Sequence, residues 1–113
     1  MKKISIIGDG AWGTALALLL HSKGYNITIW GNFPEYIEEQ HEKRENYKFL
    51  PGIKIPRDIS YTADLAEAAK EAELFVCAVP TQFIRNVFKQ FARHHSRGVP
   101  IVSVAKGIEN DTL

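Results

Sequence analysis

The chain has 113 residues, 45% hydrophobic and 24% charged, and its 14 Lys+Arg against 13 Asp+Glu give a formal net charge of +1. A chain of that length buries roughly two-thirds of its unfolded surface around one core. This composition excludes disorder and argues against nucleic-acid or membrane-surface binders, which carry a basic run; here Lys43-Arg44 and the other basic residues are interleaved with acids.

Met1-Lys2-Lys3 and the apolar residues after it imitate a secretion signal, but Gly8, Asp9, Gly10 and Gly13 break the stretch too early for a signal core or a membrane span. Ile4-Ser5-Ile6-Ile7 has no helical period and stops at Gly8, which predicts a buried parallel strand. Ala11 to Lys23 is rich in Ala and Leu and is followed by Gly24 where a helix C-cap belongs, so a helix is expected there. A second strand is predicted at Asn26–Trp30 and a second helix from Pro34 to about Arg44, with a proline in its first turn. The acids Glu35, Glu38, Glu39 and Glu42 form its solvated face.

Asn46 to Pro56 carries two prolines and Gly52 and reads as an ordered loop. Beyond it come a short strand at Ile59–Thr62 and a helix from an Asp64 N-cap through Ala72, with Glu67 at capping-box spacing. Leu74–Val79 is a strand covered on both faces, and it holds the only cysteine, Cys77. A single cysteine rules out an internal disulfide framework, and Cys77 reads as a small buried side chain in a protein of a reducing, cytoplasmic compartment. Pro80-Thr81 ends that strand, a helix runs to about His94, and Val99–Ala105 is a last strand. Alternating strands and helices predict an α/β, Rossmann-type doubly wound domain, with about five mainly parallel strands and helices on both faces.

Gly8-Asp9-Gly10-Ala11-Trp12-Gly13 fits G-x-G-x-x-G between a predicted strand and a predicted helix, the context a dinucleotide-binding turn requires. Gly8 allows the tight turn, Gly10 lets the backbone approach a pyrophosphate, and Gly13 lets the helix pack on the strand. The free amides at the helix start would face the phosphate charge. Where an acid at the end of the second strand would grip the ribose 2′-hydroxyl of NAD, the chain has Trp30-Gly31-Asn32-Phe33, and no arginine stands there to favour NADP. NAD or NADP is therefore the expected cofactor, with both tolerated. The histidines His21, His41, His94 and His95 have no ligand spacing, so neither a metal site nor an acid–base role is assigned to them.

Gly8-Asp9-Gly10-Ala11-Trp12-Gly13-Thr14-Ala15-Leu16-Ala17 closely resembles the opening of the NAD(P)-dependent sn-glycerol-3-phosphate dehydrogenases. Three further blocks resemble that family in order and spacing: Asn46 to Pro56 around Leu50-Pro51-Gly52, Val79-Pro80-Thr81-Gln82-Phe83, and Ala105-Lys106-Gly107-Ile108-Glu109. The resemblance implies that Ala11 and Trp12 line the pyrophosphate, that Asn32 meets the adenosine ribose and that Phe83 lies against the dinucleotide. It also implies that Lys106 contacts both cofactor and substrate. The plain alternatives are packing for Trp12, a core position for Phe83 and a solvated surface for Lys106; Arg85 reads as an exposed helix residue.

Asp9 departs from the family's small residue and places a charge near the pyrophosphate unless its side chain turns away. The family is about three times longer, with a helical C-terminal substrate domain that supplies the catalytic lysine. Residues 1–113 are accordingly expected to be a truncated N-terminal dinucleotide-binding domain, inactive alone and with no catalytic residue of its own. The implied full-length enzyme interconverts dihydroxyacetone phosphate and sn-glycerol 3-phosphate for glycerophospholipid synthesis, and could form a homodimer. Two rivals remain: the cofactor domain of another 3-hydroxy-acid or sugar-nucleotide dehydrogenase, and a non-catalytic NAD(P)-sensing module.

Overall fold

Ten elements follow one another in the computed structural model, which describes residues 2–79, 89 and 98–104. They are β1 (Lys3–Ile7), α1 (Ala11–Ser22), β2 (Asn26–Trp30), α2 (Pro34–Lys43), β3 (Glu45–Asn46), β4 (Leu50–Lys54), β5 (Ser60–Thr62), α3 (Leu65–Ala69), β6 (Leu74–Cys77) and β7 (Ile101–Ser103). Five strands form a parallel sheet in the order β5-β2-β1-β6-β7. In the central strand, Ile4 sits opposite Ile27 on one side and Leu74 on the other. The chain lays β2 and β5 to one side of β1, then crosses to lay β6 and β7 on the other. That reversal leaves a crevice at the carboxyl ends of β1 and β6.

Helices cover both faces, as the sequence predicts. Ile4, Ile6, Ile27, Ile29 and Val76 pack with Ala17 of α1, flanked by the partly buried Leu16 and Leu20. On the opposite face Ile7, Trp30, Phe75 and Cys77 meet Leu65, Ala68 and Ala69 of α3. Burying one such Ile or Phe contributes roughly 1.5 to 3 kcal/mol. Ser5, buried beside α3, donates its hydroxyl to the Ala68 carbonyl and is thereby paired. Burial pushes the Cys77 thiol up from its ordinary value, in keeping with an inert strand residue. Among the described residues no helix is long and apolar enough to cross a membrane.

The 46–56 segment and the ends of α3, β6 and β7 differ from the sequence expectation. The 46–56 segment is no simple loop: β3 and β4 pair as an antiparallel ribbon, Glu45 opposite Lys54, with a register shift between Glu45 and Asn46. Pro51 and Gly52 hide β4 from any propensity argument, and partners outside its own pattern hold it. The Glu45 carboxylate accepts the Gly52 amide at 3.1 Å, and the Ile55 amide donates to the Arg44 carbonyl at 2.8 Å.

Helix α3 stops at Ala69, short of Ala72, because the chain must turn to bring β6 beside β1. Glu71 adopts φ 60° in that turn, and the Glu73 amide then donates to the Lys3 carbonyl at 2.8 Å. Asp64 caps α3 as expected, accepting the Ala66 amide at 2.9 Å. Strands β6 and β7 are shorter than Leu74–Val79 and Val99–Ala105. Of the predicted helix after Thr81 the structure describes Lys89 alone, which is helical.

Candidate functional site

Gly8 leaves β1 with φ 131°, its amide donating to the Trp30 carbonyl at 2.9 Å, and a Cβ there would stand 2.8 Å from the Ala78 carbonyl carbon. A Cβ on Gly13 would meet the Gly8 carbonyl oxygen at 2.2 Å, so α1 can lie this close to the turn only with glycine. Gly10 is different, since nothing lies within 4 Å of a Cβ built on it. It is the N-cap of α1 and offers no side-chain cap, and the first helical bond runs from the Thr14 amide to the Gly10 carbonyl at 3.0 Å. The amides of Ala11, Trp12 and Gly13 thus have no intrahelical acceptor, and no acid stands in the first turn to compete with an incoming anion.

A cleft of about 330 Å³ opens beside this turn, lined from the ends of three strands. Gly8, Asp9 and Gly10 follow β1, Asn32 and Phe33 follow β2, and Ala78 and Val79 follow β6. Tyr36 and Phe49 close the far side with their rings 6.0 Å apart, edge to face, while Phe33 stands exposed at the mouth. The residues present suit a dinucleotide: an open glycine backbone with free helix amides for a pyrophosphate, and aromatic walls for a flat base.

Asp9 turns away from the free amides. Its carboxylate accepts from Gln40 Nε2 at 2.8 Å, and its Oδ2 lies 2.5 Å from where a Gly31 Cβ would stand. Burial pushes its carboxyl above the ordinary value, while the Gln40 hydrogen bond and the Lys48 charge favour the ionised form. The Asp9 carbonyl in turn accepts from Asn46 Nδ2 at 2.8 Å, and that same nitrogen donates to Thr14 Oγ1 at 2.8 Å. Tyr36 donates its hydroxyl to Asn46 Oδ1 and accepts the Lys48 amide at 3.0 Å. Thr14, Gln40 and Asn46 are fully buried, so a polar network ties the glycine turn to α2 and to the β3–β4 ribbon.

Of the residues singled out in the sequence, Gly8, Gly10 and Asn32 come together in the cleft and Gly13 packs beneath it. Ala11 and Trp12 are exposed at the start of α1, outside the cleft lining. Phe83, Arg85 and Lys106 lie outside the described residues.

Sequence reasoning missed Phe33, Tyr36 and Phe49 as lining, and Gln40 and Asn46 as supports. One signal was available for Tyr36 and Gln40. With Ile37 they mark an i, i+1, i+4 stripe on an otherwise charged helix, and that stripe is the buried face of α2.

The chain matches, over residues 3–113, the family described as the NAD-dependent glycerol-3-phosphate dehydrogenase N-terminus. It is 45% identical over 112 residues to a glycerol-3-phosphate dehydrogenase [NAD(P)+] of Geobacter sp. (strain M21), covering 99% of this chain and 33% of that protein. A relative of the same name in Fusobacterium nucleatum is 46% identical over 113 residues, which are 100% of this chain and 34% of the relative. Among solved structures, the glycerol-3-phosphate dehydrogenase of Coxiella burnetii superposes with a TM-score of 0.86 at 25% identity, over 90% of this chain and 31% of that one. The chain thus spans about one third of the length of the curated relatives it matches. With the glycine turn, the reversed strand order and this agreement along its length, the chain belongs to the NAD-dependent glycerol-3-phosphate dehydrogenase N-terminal family.

Proposed function

We propose that residues 1–113 are the dinucleotide-binding domain of an enzyme that interconverts dihydroxyacetone phosphate and sn-glycerol 3-phosphate with NAD(H) or NADP(H). One observation carries the reading: the open backbone of Gly10 in front of three unpaired helix amides, inside a cleft at the switch point of the sheet. In this reading the turn from Gly8 to Gly13 holds the pyrophosphate, with Ala11 and Trp12 beside it. Asn32 faces the adenosine ribose, and Phe33, Phe49 and Tyr36 flank the base.

When bound, the nicotinamide supplies a hydride to the carbonyl carbon of the substrate. The general acid that protonates the oxygen is assigned to a C-terminal substrate domain beyond this chain, as the family resemblance implies. Phe83 is assigned to the dinucleotide and Lys106 to substrate and cofactor, where its compact ammonium would steady the developing negative charge. The reading extends to a cytoplasmic location, supported by the lone buried Cys77, and to a role in glycerophospholipid synthesis. It extends also to a homodimer of the full-length protein, for which the exposed Leu19 and Ile53 provide apolar surface.

Calorimetric titration of the full-length protein with NADH and NADPH tests the site. Binding is expected, and Gly10→Val should abolish it by filling the space in front of the turn; affinity unchanged in the variant sinks the reading. NADH oxidation with dihydroxyacetone phosphate tests the activity. There Lys106→Ala should lower kcat/KM by about 100-fold, the loss typical of one preorganised electrostatic contact.

A further inference from the structure

Dinucleotide-binding domains that select NAD carry an acid at the end of the second strand, about 20 residues beyond the glycine turn, which hydrogen-bonds the ribose 2′-hydroxyl and repels a 2′-phosphate. This chain has Gly31 and Asn32 there and no acid. A carboxylate nevertheless stands at that place. Asp9 reaches across from the glycine turn until its Oδ2 lies 2.5 Å from the position a Gly31 Cβ would take. That Cβ would also lie 2.5 Å from Ile37 Cδ1, so a side chain at position 31 and the Asp9 carboxylate exclude each other. Gln40, fully buried, fixes the carboxylate from behind with its 2.8 Å hydrogen bond, and Asp9 lines the cleft together with Asn32.

We propose that Asp9 is the cofactor-specificity residue of this protein: an acid supplied by the glycine turn rather than by the end of β2, which selects NAD(H) over NADP(H). The inference rests on the reading of the cleft as a dinucleotide site. It replaces the tolerance of both cofactors that the bare sequence of β2 suggests. Three features of the fold combine to set the acid there. The glycine at 31 clears the space, the amide of Gln40 orients the carboxylate, and the Asn46 bond to the Asp9 carbonyl at 2.8 Å fixes the backbone from which it projects. A 2′-hydroxyl can donate to such a carboxylate, whereas a 2′-phosphate meets it as a like charge with no hydrogen to share.

Among the described residues Lys48 is a cation whose charge reaches Asp9, and its ammonium stands 4.6 Å from the centre of the Tyr36 ring. It is the rival reader, since a lysine at the cleft edge would favour a 2′-phosphate.

Dissociation constants of the full-length protein for NADH and NADPH, read from cofactor fluorescence, decide the matter. The native protein should bind NADH at least about tenfold more tightly than NADPH, and Asp9→Asn, which keeps shape and an acceptor for Gln40, should erase most of that ratio. Asp9→Ser is a second route to the same result if the amide folds poorly. Lys48→Met should leave the ratio within about twofold. A ratio unmoved by either Asp9 variant overturns the proposal, as does equal loss of both cofactors, which would make Asp9 a brace only. A ratio that collapses in Lys48→Met also overturns it. Failure of the native protein to bind either cofactor would instead remove the underlying site reading, so the two failures are distinguishable.

Discussion

The two sides of the cleft are built by different physics. The turn from Gly8 to Gly13 takes its shape from what is missing: side chains absent at 8 and 13 let Ala78 and the Gly8 carbonyl come closer than any Cβ would permit. The facing side, from α2 through the β3–β4 ribbon, takes its shape from polar side chains that are present and fully buried. Asn46 there serves Asp9, Thr14 and Tyr36 at once, and Arg44, in a left-handed conformation at φ 54°, donates from Nη1 to the carbonyls of Pro56 at 3.1 Å and Ile59 at 2.8 Å. A steric device fails abruptly on adding one carbon. A hydrogen-bonded device fails by steps, as each partner is left unpaired in a place water does not reach.

The sharpest break of that contrast is Gly13→Ala. One methyl aimed at a backbone oxygen 2.2 Å away must push α1 off the sheet, and a loss of about 3 kcal/mol or more in unfolding free energy is expected from urea titration. Gly10→Ala, in the same turn, points into open space and should cost less than about 1 kcal/mol. Equal costs at 10 and 13 would contradict the steric account.

Asn46→Ala probes the other side and should fall between those extremes. It strands the Asp9 carbonyl and the Thr14 hydroxyl and removes the acceptor of the Tyr36 hydroxyl, for an expected loss of about 1 to 3 kcal/mol. Because the network supports the turn from below, the same variant should also weaken cofactor binding, which the Gly10→Val titration serves to calibrate. Full stability in Asn46→Ala would mean that the turn stands without its polar support.

The smallest effect concerns pH. Asp9 is raised above its ordinary value mainly by burial, so its native form holds a proton more readily than its unfolded form. Its contribution to stability is complete below the ordinary carboxylate value and is lost as pH climbs through the raised native value. Asp9→Asn removes that loss. Urea titrations of both proteins from mildly acidic to neutral pH should show the variant gaining on the native chain as pH rises. A constant difference would mean that Asp9 titrates alike in the folded and unfolded chain.

Much was legible in the order of residues because it depends on neighbours along the chain. The β-branched run Ile4-Ser5-Ile6-Ile7, the glycines that follow, and the Ala- and Leu-rich segment closed by Gly24 predict β1, the turn and α1 within a residue or two, since strand preference, φ freedom and helix capping are local properties. The parallel pairing of the strands follows from the alternation of elements, and the glycine turn followed from its spacing. The resemblance to the dehydrogenase family rested on blocks spread over the chain, and the family match over residues 3–113 agrees with it.

What the order of residues left open is decided by partners far apart in sequence. Asn46 lies 37 residues from Asp9 and 32 from Thr14, and nothing in the Asn46–Pro56 segment reveals that it forms part of a ribbon bonded to the glycine turn. Lys43-Arg44 stands in the sequence as a basic pair interleaved with acids, and Arg44 is buried against carbonyls that only the folded chain brings near it. Asp9 reads as a charge misplaced beside a pyrophosphate, and the direction of its side chain depends on Gln40, 31 residues on. Steric allowances act between adjacent peptides and leave a signature in composition, whereas buried hydrogen bonds are satisfied by whichever distant group the packing delivers, and that choice is made by the tertiary structure.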